Sequence, residues 1–86
     1  MLDQVIEEVR AEIQRIDDKY GPPASTHESL GVILEEFDEL RQAIHANKLA
    51  DVLMEATQVA ACAIRLAAAC ELALMTDTNF GLRSVP

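Results

Sequence analysis

The stretch that decides the fold is residues 48–69, KLADVLMEATQVAACAIRLAAA. Alanine and leucine prevail in it, and it contains neither glycine nor proline, which predicts a long helix. We place this helix over residues 48–75, as the third and last of the chain. When the stretch is projected at helical spacing, its strongly polar residues fall within roughly 100°. This polar sector consists of Lys48, Asp51, Glu55, Gln58 and Arg65, and Cys62 lies within it.

The rest of this helix's circumference is made of Leu, Ala, Val, Met and Ile. A helix that is apolar over most of its surface is normally surrounded by other elements. In a chain of 86 residues, two short partner helices cannot surround it. We therefore predict that a second copy packs against it, forming a four-helix-bundle core in a homodimer or homotetramer.

Two shorter helices precede the third. Apolar residues recur at three- and four-residue spacing near the N-terminus, which predicts a first helix over residues 2–19. Gly21-Pro22-Pro23 ends it, because a proline nitrogen cannot donate the next backbone hydrogen bond. Ser25 and Glu28 form a capping-box pattern that opens the second helix, expected to end near Asn47. The apolar stripes, predicted to form the core, are Leu2, Val5, Ile6, Val9, Ile13, Ile16 and Tyr20 in the first helix and Leu30, Ile33, Leu34, Phe37, Leu40 and Ile44 in the second.

These patterns predict an all-α fold of three antiparallel helices in one domain, residues 1–75, with a C-terminal tail over residues 76–86. Fifteen acids against seven bases give a net charge of −8, which argues against a nucleic acid or an anionic membrane as partner. Glu55, Gln58 and Arg65 interrupt the apolar run, so we expect no membrane span. The N-terminus is acidic, unlike a signal peptide. The expected location is the cytoplasm.

The cysteines and histidines do not suggest a site. Cys62 and Cys70 would lie roughly 12 Å apart along one helix, too far for a disulfide. We expect both to be small core residues. His27 and His45 stand near opposite ends of the second helix and are poorly placed as zinc ligands.

The second helix contains LEEFDEL, residues 34–40, with four acids in seven residues. Like charges at helical spacing destabilise a helix by a few tenths of a kcal/mol per pair. Glu36 and Glu39 project to one side of the apolar stripe, beside Val32 and Ala43. They can be a solvated acidic flank, or they can face the polar sector of the third helix and line a cleft with its carboxylates. Short helix connections favour antiparallel neighbours, which places Glu39 near the start of the third helix and favours the cleft.

Carboxylates that converge in a bundle repel one another unless some are protonated or a cation neutralises them. Ligand sets made of oxygen alone select hard cations, Mg²⁺ or Mn²⁺. The chain has no Gly-rich phosphate loop and no Ser/His/Asp constellation. Any catalysis is therefore expected to be metal-assisted.

Taken together, these residues resemble the MazG-like all-α nucleoside triphosphate pyrophosphohydrolases, whose signature is EExxE, a spacer and then ExxD. Residues 35–39, EEFDE, supply the first motif. Residues 55–61, EATQVAA, resemble the ExxQVAA form of small phage- and mobile-element-type members. Residues 15–21, RIDDKYG, are similar to the RQDxKWG segment of that subgroup. The resemblance covers about residues 5 to 67.

The resemblance implies Mg²⁺-dependent cleavage of a nucleoside triphosphate into monophosphate and pyrophosphate, with Mn²⁺ as the alternative ion and nucleotide-pool housecleaning as a role. It also implies a set of site residues. The metal ligands would be Glu36, Glu39, Glu55 and Gln58. Glu35 would act with Glu36 and Glu39 in catalysis. Lys48 and Arg65 would contact phosphate, and Tyr20 would stack on the base.

Gln58 stands where the wider family has an acid, and a neutral amide offers a metal only one carbonyl oxygen. Two other functions therefore stay open. The first is a catalytically degenerate MazG-like oligomer that binds nucleotide or a protein partner without turnover. The second is a plain helical interaction module whose acids only keep it soluble.

Overall fold

The structure, a computed structural model, describes residues 1–76. Within this range the chain is all-α and has no strand: α1 spans Leu2–Tyr20, α2 spans Thr26–His45 and α3 spans Leu49–Thr76. The predicted all-α class with three helices is confirmed, and each predicted helix boundary agrees within two residues. The predicted tail, apart from Thr76, lies outside the described residues.

Local sequence accounts for the helix ends between α1 and α2. Gly21 follows α1 at φ 72°, a left-handed conformation that glycine adopts without strain. Its N–H donates to the Asp17 carbonyl at 2.8 Å. The Ser25 hydroxyl accepts from the Glu28 N–H at 3.1 Å, and the Glu28 carboxylate accepts from the Ala24 N–H at 3.1 Å. The return bond of the predicted capping box therefore reaches one residue beyond the cap.

The central helix is α3. It packs against both α1 and α2, whereas α1 and α2 make almost no contact with each other. Gln58 bonds to Glu12 and Arg65 bonds to Asp17, so residue numbers rise together along α3 and α1, and these helices run parallel. The end of α2 lies beside the start of α3 and the start of α2 beside its middle, so α2 and α3 are antiparallel.

The buried core of the protomer is small and lies mainly between α1 and α3. No large side chain within residues 1–76 is fully buried. A core of this size stabilises a small domain only marginally. Its buried members are Val9, Ile16 and Ala61, with Val5, Ile13 and Ala60 packed against them.

The prediction that the apolar stripes form the core is wrong for Leu2, Ile6 and Tyr20 of α1, which are exposed. It is also wrong for most of the α2 stripe, in which only Ile33 and Leu40 are partly buried. Leu34 and Phe37 are 57% and 56% exposed. Because α3 turns its polar sector toward α2, α2 meets it with small and acidic residues instead, including Ser29, Glu36 and Ala43. The leftover apolar residues of both helices project to one outer side at helical spacing. This apolar face consists of Leu30, Leu34, Phe37, Ile44, Leu49, Ala56, Ala63 and Ala67, all of which are exposed.

By length and composition alone, α3 is long and apolar enough to cross a membrane. A buried core helix of a soluble protein can meet the same criteria, but only 11% of the apolar window of α3 is buried within the described chain. Its polar sector is not free, because Gln58 and Arg65 are bonded to α1.

Candidate functional site

Three carboxylates converge between α2 and α3. Glu36 and Glu39 project from adjacent turns of α2, and the antiparallel α3 brings Glu55 opposite them. One oxygen atom from each lies within 4.8 Å of the other two. Within residues 1–76 no other group of three His, Cys, Asp or Glu side chains offers ligand atoms this close together. We call Glu36, Glu39 and Glu55 the carboxylate trio.

Burial and neighbouring carboxylates favour the protonated forms of Glu36 and Glu55. Burial raises the pKa of Glu36 above its ordinary 4.5, and the charges of Glu39 and Glu55 raise it further. Burial, followed by the neighbouring Glu39, raises the pKa of Glu55. Glu55 Oε2 is buried without a hydrogen-bond partner, a situation that costs roughly 1–3 kcal/mol. A proton or a cation at this oxygen would remove that cost.

The trio fits a hard divalent cation. Its donor atoms are all carboxylate oxygens, which suit Mg²⁺ and Mn²⁺ better than zinc. Mg²⁺ usually keeps several of its waters. Glu39 is exposed while Glu36 and Glu55 are half-buried, so solvent and a phosphate group can reach the trio from one side.

A cleft of about 560 Å³ opens beside Glu36, between the three helices. Its volume lies in the roughly 300–1,000 Å³ range of small-molecule sites. Four other predicted site residues line it together with Glu36: Tyr20, Glu35, Gln58 and Arg65. Arg15 and Cys62 also line it, and burial raises the pKa of the Cys62 thiol, which keeps it in its neutral form.

Lys48 lies on the other side of the trio. It lines a second depression of about 440 Å³ together with Glu39, Asp51 and Glu55. The two bases predicted to contact phosphate, Lys48 and Arg65, are therefore not brought together. The trio stands between the depression that holds Lys48 and the cleft that holds Arg65.

Arg65 is engaged by α1 and the loop that follows it. Its Nε donates to Asp17 Oδ1 at 2.7 Å, and its Nη2 donates to the Gly21 carbonyl at 2.6 Å. The side chain is only 12% exposed. Arg65 thus fixes the α1–α2 loop against α3, and a phosphate would have to compete with these bonds. Tyr20 is exposed at the cleft rim, with Lys19 Nζ 5.1 Å from its ring centroid.

Gln58 is held by a residue that the sequence analysis did not single out. Its Nε2 donates to Glu12 of α1. The Glu12 side chain is 13% exposed and also accepts two hydrogen bonds from Arg15, at 2.6 and 2.8 Å, which hold its pKa below 4.5. A signal was present in the sequence: Glu12 lies three residues after Val9 and four before Ile16, within the apolar stripe of α1.

Comparison of the chain with models of protein families, with curated proteins and with solved structures finds no match. The resemblance to MazG-like enzymes therefore rests on the motifs at residues 15–21, 35–39 and 55–61. It stays a prediction.

Proposed function

We propose that the chain is a Mg²⁺-dependent nucleoside triphosphate pyrophosphohydrolase of the MazG-like type, with Mn²⁺ as the alternative ion. The observation that carries the proposal is the carboxylate trio, whose oxygens lie within 4.8 Å of one another and include one buried oxygen without a partner. The trio consists of three positions that the motif resemblance marks as metal ligands. A role in clearing unwanted nucleotides is the proposed biological setting.

The chain's own residues have distinct roles in this proposal. A bound cation would neutralise the trio, engage phosphate oxygens and acidify an attacking water. Glu35 lines the cleft beside Glu36 and would accept the proton from that water. The cleft would hold sugar and base, with Tyr20 stacking at its rim. Arg15, exposed in the cleft, and Lys48, in the second depression, would contact phosphate from opposite sides.

The proposal includes a homodimer, alone or as half of a tetramer, in which a second copy covers the apolar face. Exposed apolar patches of this kind mark interaction surfaces. Symmetric packing of α2 and α3 from two protomers would make the four-helix core. Ala56, Ala63 and Ala67 on α3 would let the helix axes approach closely.

A membrane is the other apolar environment that could cover this face. The polar sector of α3 argues against it, since Asp, Lys or Arg at the bilayer centre costs roughly 2.5–3.5 kcal/mol each. Arg65 lies near the middle of α3 and Glu55 in its first third, and they contact α1 and α2, respectively. We therefore propose a cytoplasmic oligomer without a membrane or nucleic-acid partner.

One observation favours a second candidate, a MazG-like oligomer that binds nucleotide or a protein partner without turnover. Gln58 is a neutral amide where the wider family has an acid, and it donates its Nε2 to Glu12. The position therefore supplies no fourth charge to a metal. In this case the trio would bind an ion, and nucleotide would bind without being cleaved.

The test is pyrophosphate release from a panel of ribo- and deoxynucleoside triphosphates with Mg²⁺, by wild type and Glu39→Gln. We expect turnover by the wild type and a loss of at least about 100-fold in Glu39→Gln, the upper end of what an outer-shell partner costs. Asp38→Asn is the matched control, because Asp38 neighbours Glu39 but bonds to Arg41 and Gln42 on the exposed side.

Three outcomes separate the candidates. Release that falls in Glu39→Gln but not in Asp38→Asn supports the enzyme. Nucleotide binding without release supports the second candidate. A wild type that binds neither Mg²⁺ nor nucleotide would be a helical interaction module.

A further inference from the structure

The hydrogen bond between Glu12 and Gln58 joins α1 to the helix that carries Glu55. Glu12 uses both carboxylate oxygens: Oε1 accepts from Arg15 Nε at 2.6 Å, and Oε2 accepts from Arg15 Nη2 at 2.8 Å and from Gln58 Nε2. With 13% of its side chain exposed, it is an acid set between two packed helices. Arg15 offsets its charge.

The chemistry of the two groups fixes the orientation of the amide. An ionised carboxylate only accepts hydrogen bonds, whereas an amide donates through its nitrogen and accepts through its oxygen. Glu12 therefore selects the orientation in which Gln58 Nε2 faces α1 and Oε1 points away from Glu12. Gln58 lines the 560 Å³ cleft together with Glu36 and follows Glu55 by one helical turn.

We propose that Glu12 is a positioning residue, which turns the carbonyl oxygen of Gln58 into the cleft as a neutral oxygen donor to the divalent cation of the carboxylate trio. This inference rests on the proposed function. A carboxylate at position 58 would need no such partner, because both of its oxygens accept, and it would be repelled by Glu12. An amide has one oxygen, so a neighbour must hold it in place.

The first readout is the hydrogen bond itself. The side-chain NH₂ signals of Gln58 in a ¹⁵N–¹H spectrum can be assigned by their loss in Gln58→Leu. In the wild type we expect them to exchange with water more slowly than those of Gln4 and Gln14, which are exposed. In Glu12→Gln this protection should fall, because an amide at position 12 can donate as well as accept and no longer selects one orientation of Gln58.

The second readout is Mg²⁺ affinity measured calorimetrically without substrate. Glu12→Gln should weaken Mg²⁺ binding by about 10–100-fold, as expected for an outer-shell partner. Glu7→Gln is the matched control, since Glu7 pairs with Arg10 at the same i, i+3 spacing but both are exposed. It should leave the Gln58 signals and the Mg²⁺ affinity unchanged.

The double variant Glu12→Gln/Gln58→Glu exchanges the acid and the amide. Donor and acceptor stay paired, and the second oxygen at position 58 still faces the cleft, so Mg²⁺ affinity should return to the wild-type level or above it. If this variant folds by circular dichroism but does not recover Mg²⁺ binding, the positioning role is overturned, even where Glu12→Gln itself unfolds. Equal Mg²⁺ affinity in wild type and Glu12→Gln overturns it too, with the proposed function left standing. A wild type that binds no Mg²⁺ overturns both.

Discussion

The two faces of the α2–α3 pair have opposite character. One is the inner face, where the carboxylate trio lies between α2 and α3 and where Gln58 and Arg65 of the polar sector are bonded to α1. The other is the apolar face, where Phe37 is 56% exposed. A typical surface helix turns its apolar stripe inward and its charges outward, and α3 does the reverse. The described chain thus has a polar site in its interior and an apolar face exposed on its outside.

The largest expected effect comes from placing a charge on the apolar face. Phe37→Glu should convert the proposed dimer to monomer, because a carboxylate buried without a partner in its interface costs several kcal/mol. A loss of roughly 3 kcal/mol corresponds to more than a hundredfold in dissociation constant. The measurement is mass by light scattering across a protein dilution series.

Gln14→Glu is the control for this experiment, since it adds the same charge on the exposed side of α1. It should leave the dimer intact. A wild type that is monomeric at high concentration, or a Phe37→Glu variant that stays dimeric, would contradict the proposal that the apolar face is a dimer interface.

Mg²⁺ binding at the carboxylate trio should stabilise the folded protein. Mg²⁺ at about 100 times its dissociation constant should add roughly 2.7 kcal/mol to the free energy of unfolding. For a domain of this size each kcal/mol raises Tm by about 4–8 °C. Glu36→Ala should raise the Tm of the metal-free protein, because it removes a partly buried charge from the trio, and should abolish the response to Mg²⁺.

The check is thermal melting at fixed protein concentration, with and without Mg²⁺. Glu7→Ala, which removes an exposed acid on α1, should keep the Mg²⁺ response. An unchanged wild-type melt in millimolar Mg²⁺, together with stabilisation by Glu36→Ala, would reduce the trio to a structural acidic cluster.

A smaller effect is expected from loosening the α1–α2 loop that borders the cleft. Arg65→Met keeps an apolar stem but removes the bonds to Asp17 and the Gly21 carbonyl. Hydrogen bonds that involve a charged group contribute about 1.5–3 kcal/mol, so denaturant unfolding should show a loss of about that size. Unchanged stability would mean that Arg65 is free to bind phosphate, as the sequence analysis predicted.

The smallest effect is a pH dependence of the metal-free protein. Burial and neighbouring acids raise the pKa of Glu36 and Glu55 in the folded state, so their contribution to stability is present below 4.5 and is lost as pH rises through the raised values. Denaturant unfolding in chelator should therefore show stability falling as pH rises above 4.5, and Glu36→Gln should flatten this slope.

Glu12 and Asp38 affect the stability of the protein in a lower pH range. Hydrogen bonds from Arg15 and Arg41 lower the pKa of Glu12 and Asp38, so their contribution is lost only as pH falls below their ordinary values. In saturating Mg²⁺ the free energy of unfolding should instead rise with pH above pH 4.5, since protons compete with the cation for the trio. A slope that is the same with and without Mg²⁺ would contradict this account.

The parts of the candidate site that could be predicted from sequence are those set by the spacing of residues along one helix or across a short loop. Glu36 and Glu39 share a face because they are three residues apart, and the short connection between α2 and α3 brings Glu55 to them. The apolar stripe of α2 was misassigned because periodicity shows that a stripe exists but not what covers it. Glu12 was missed because its partner lies 46 residues away.

By itself, the sequence determined the number of helices and nearly all of their boundaries. Those features depend on hydrogen bonds between residues a few positions apart, as at Gly21 and Ser25. Only the tertiary structure decided that α3 presents its polar sector to its own protomer, that Gln58 faces Glu12 and that Arg65 holds the loop. Each of these arrangements depends on which helix faces are buried and which polar groups are paired. The free energies involved come from contacts between residues far apart in the chain, so local spacing does not encode them.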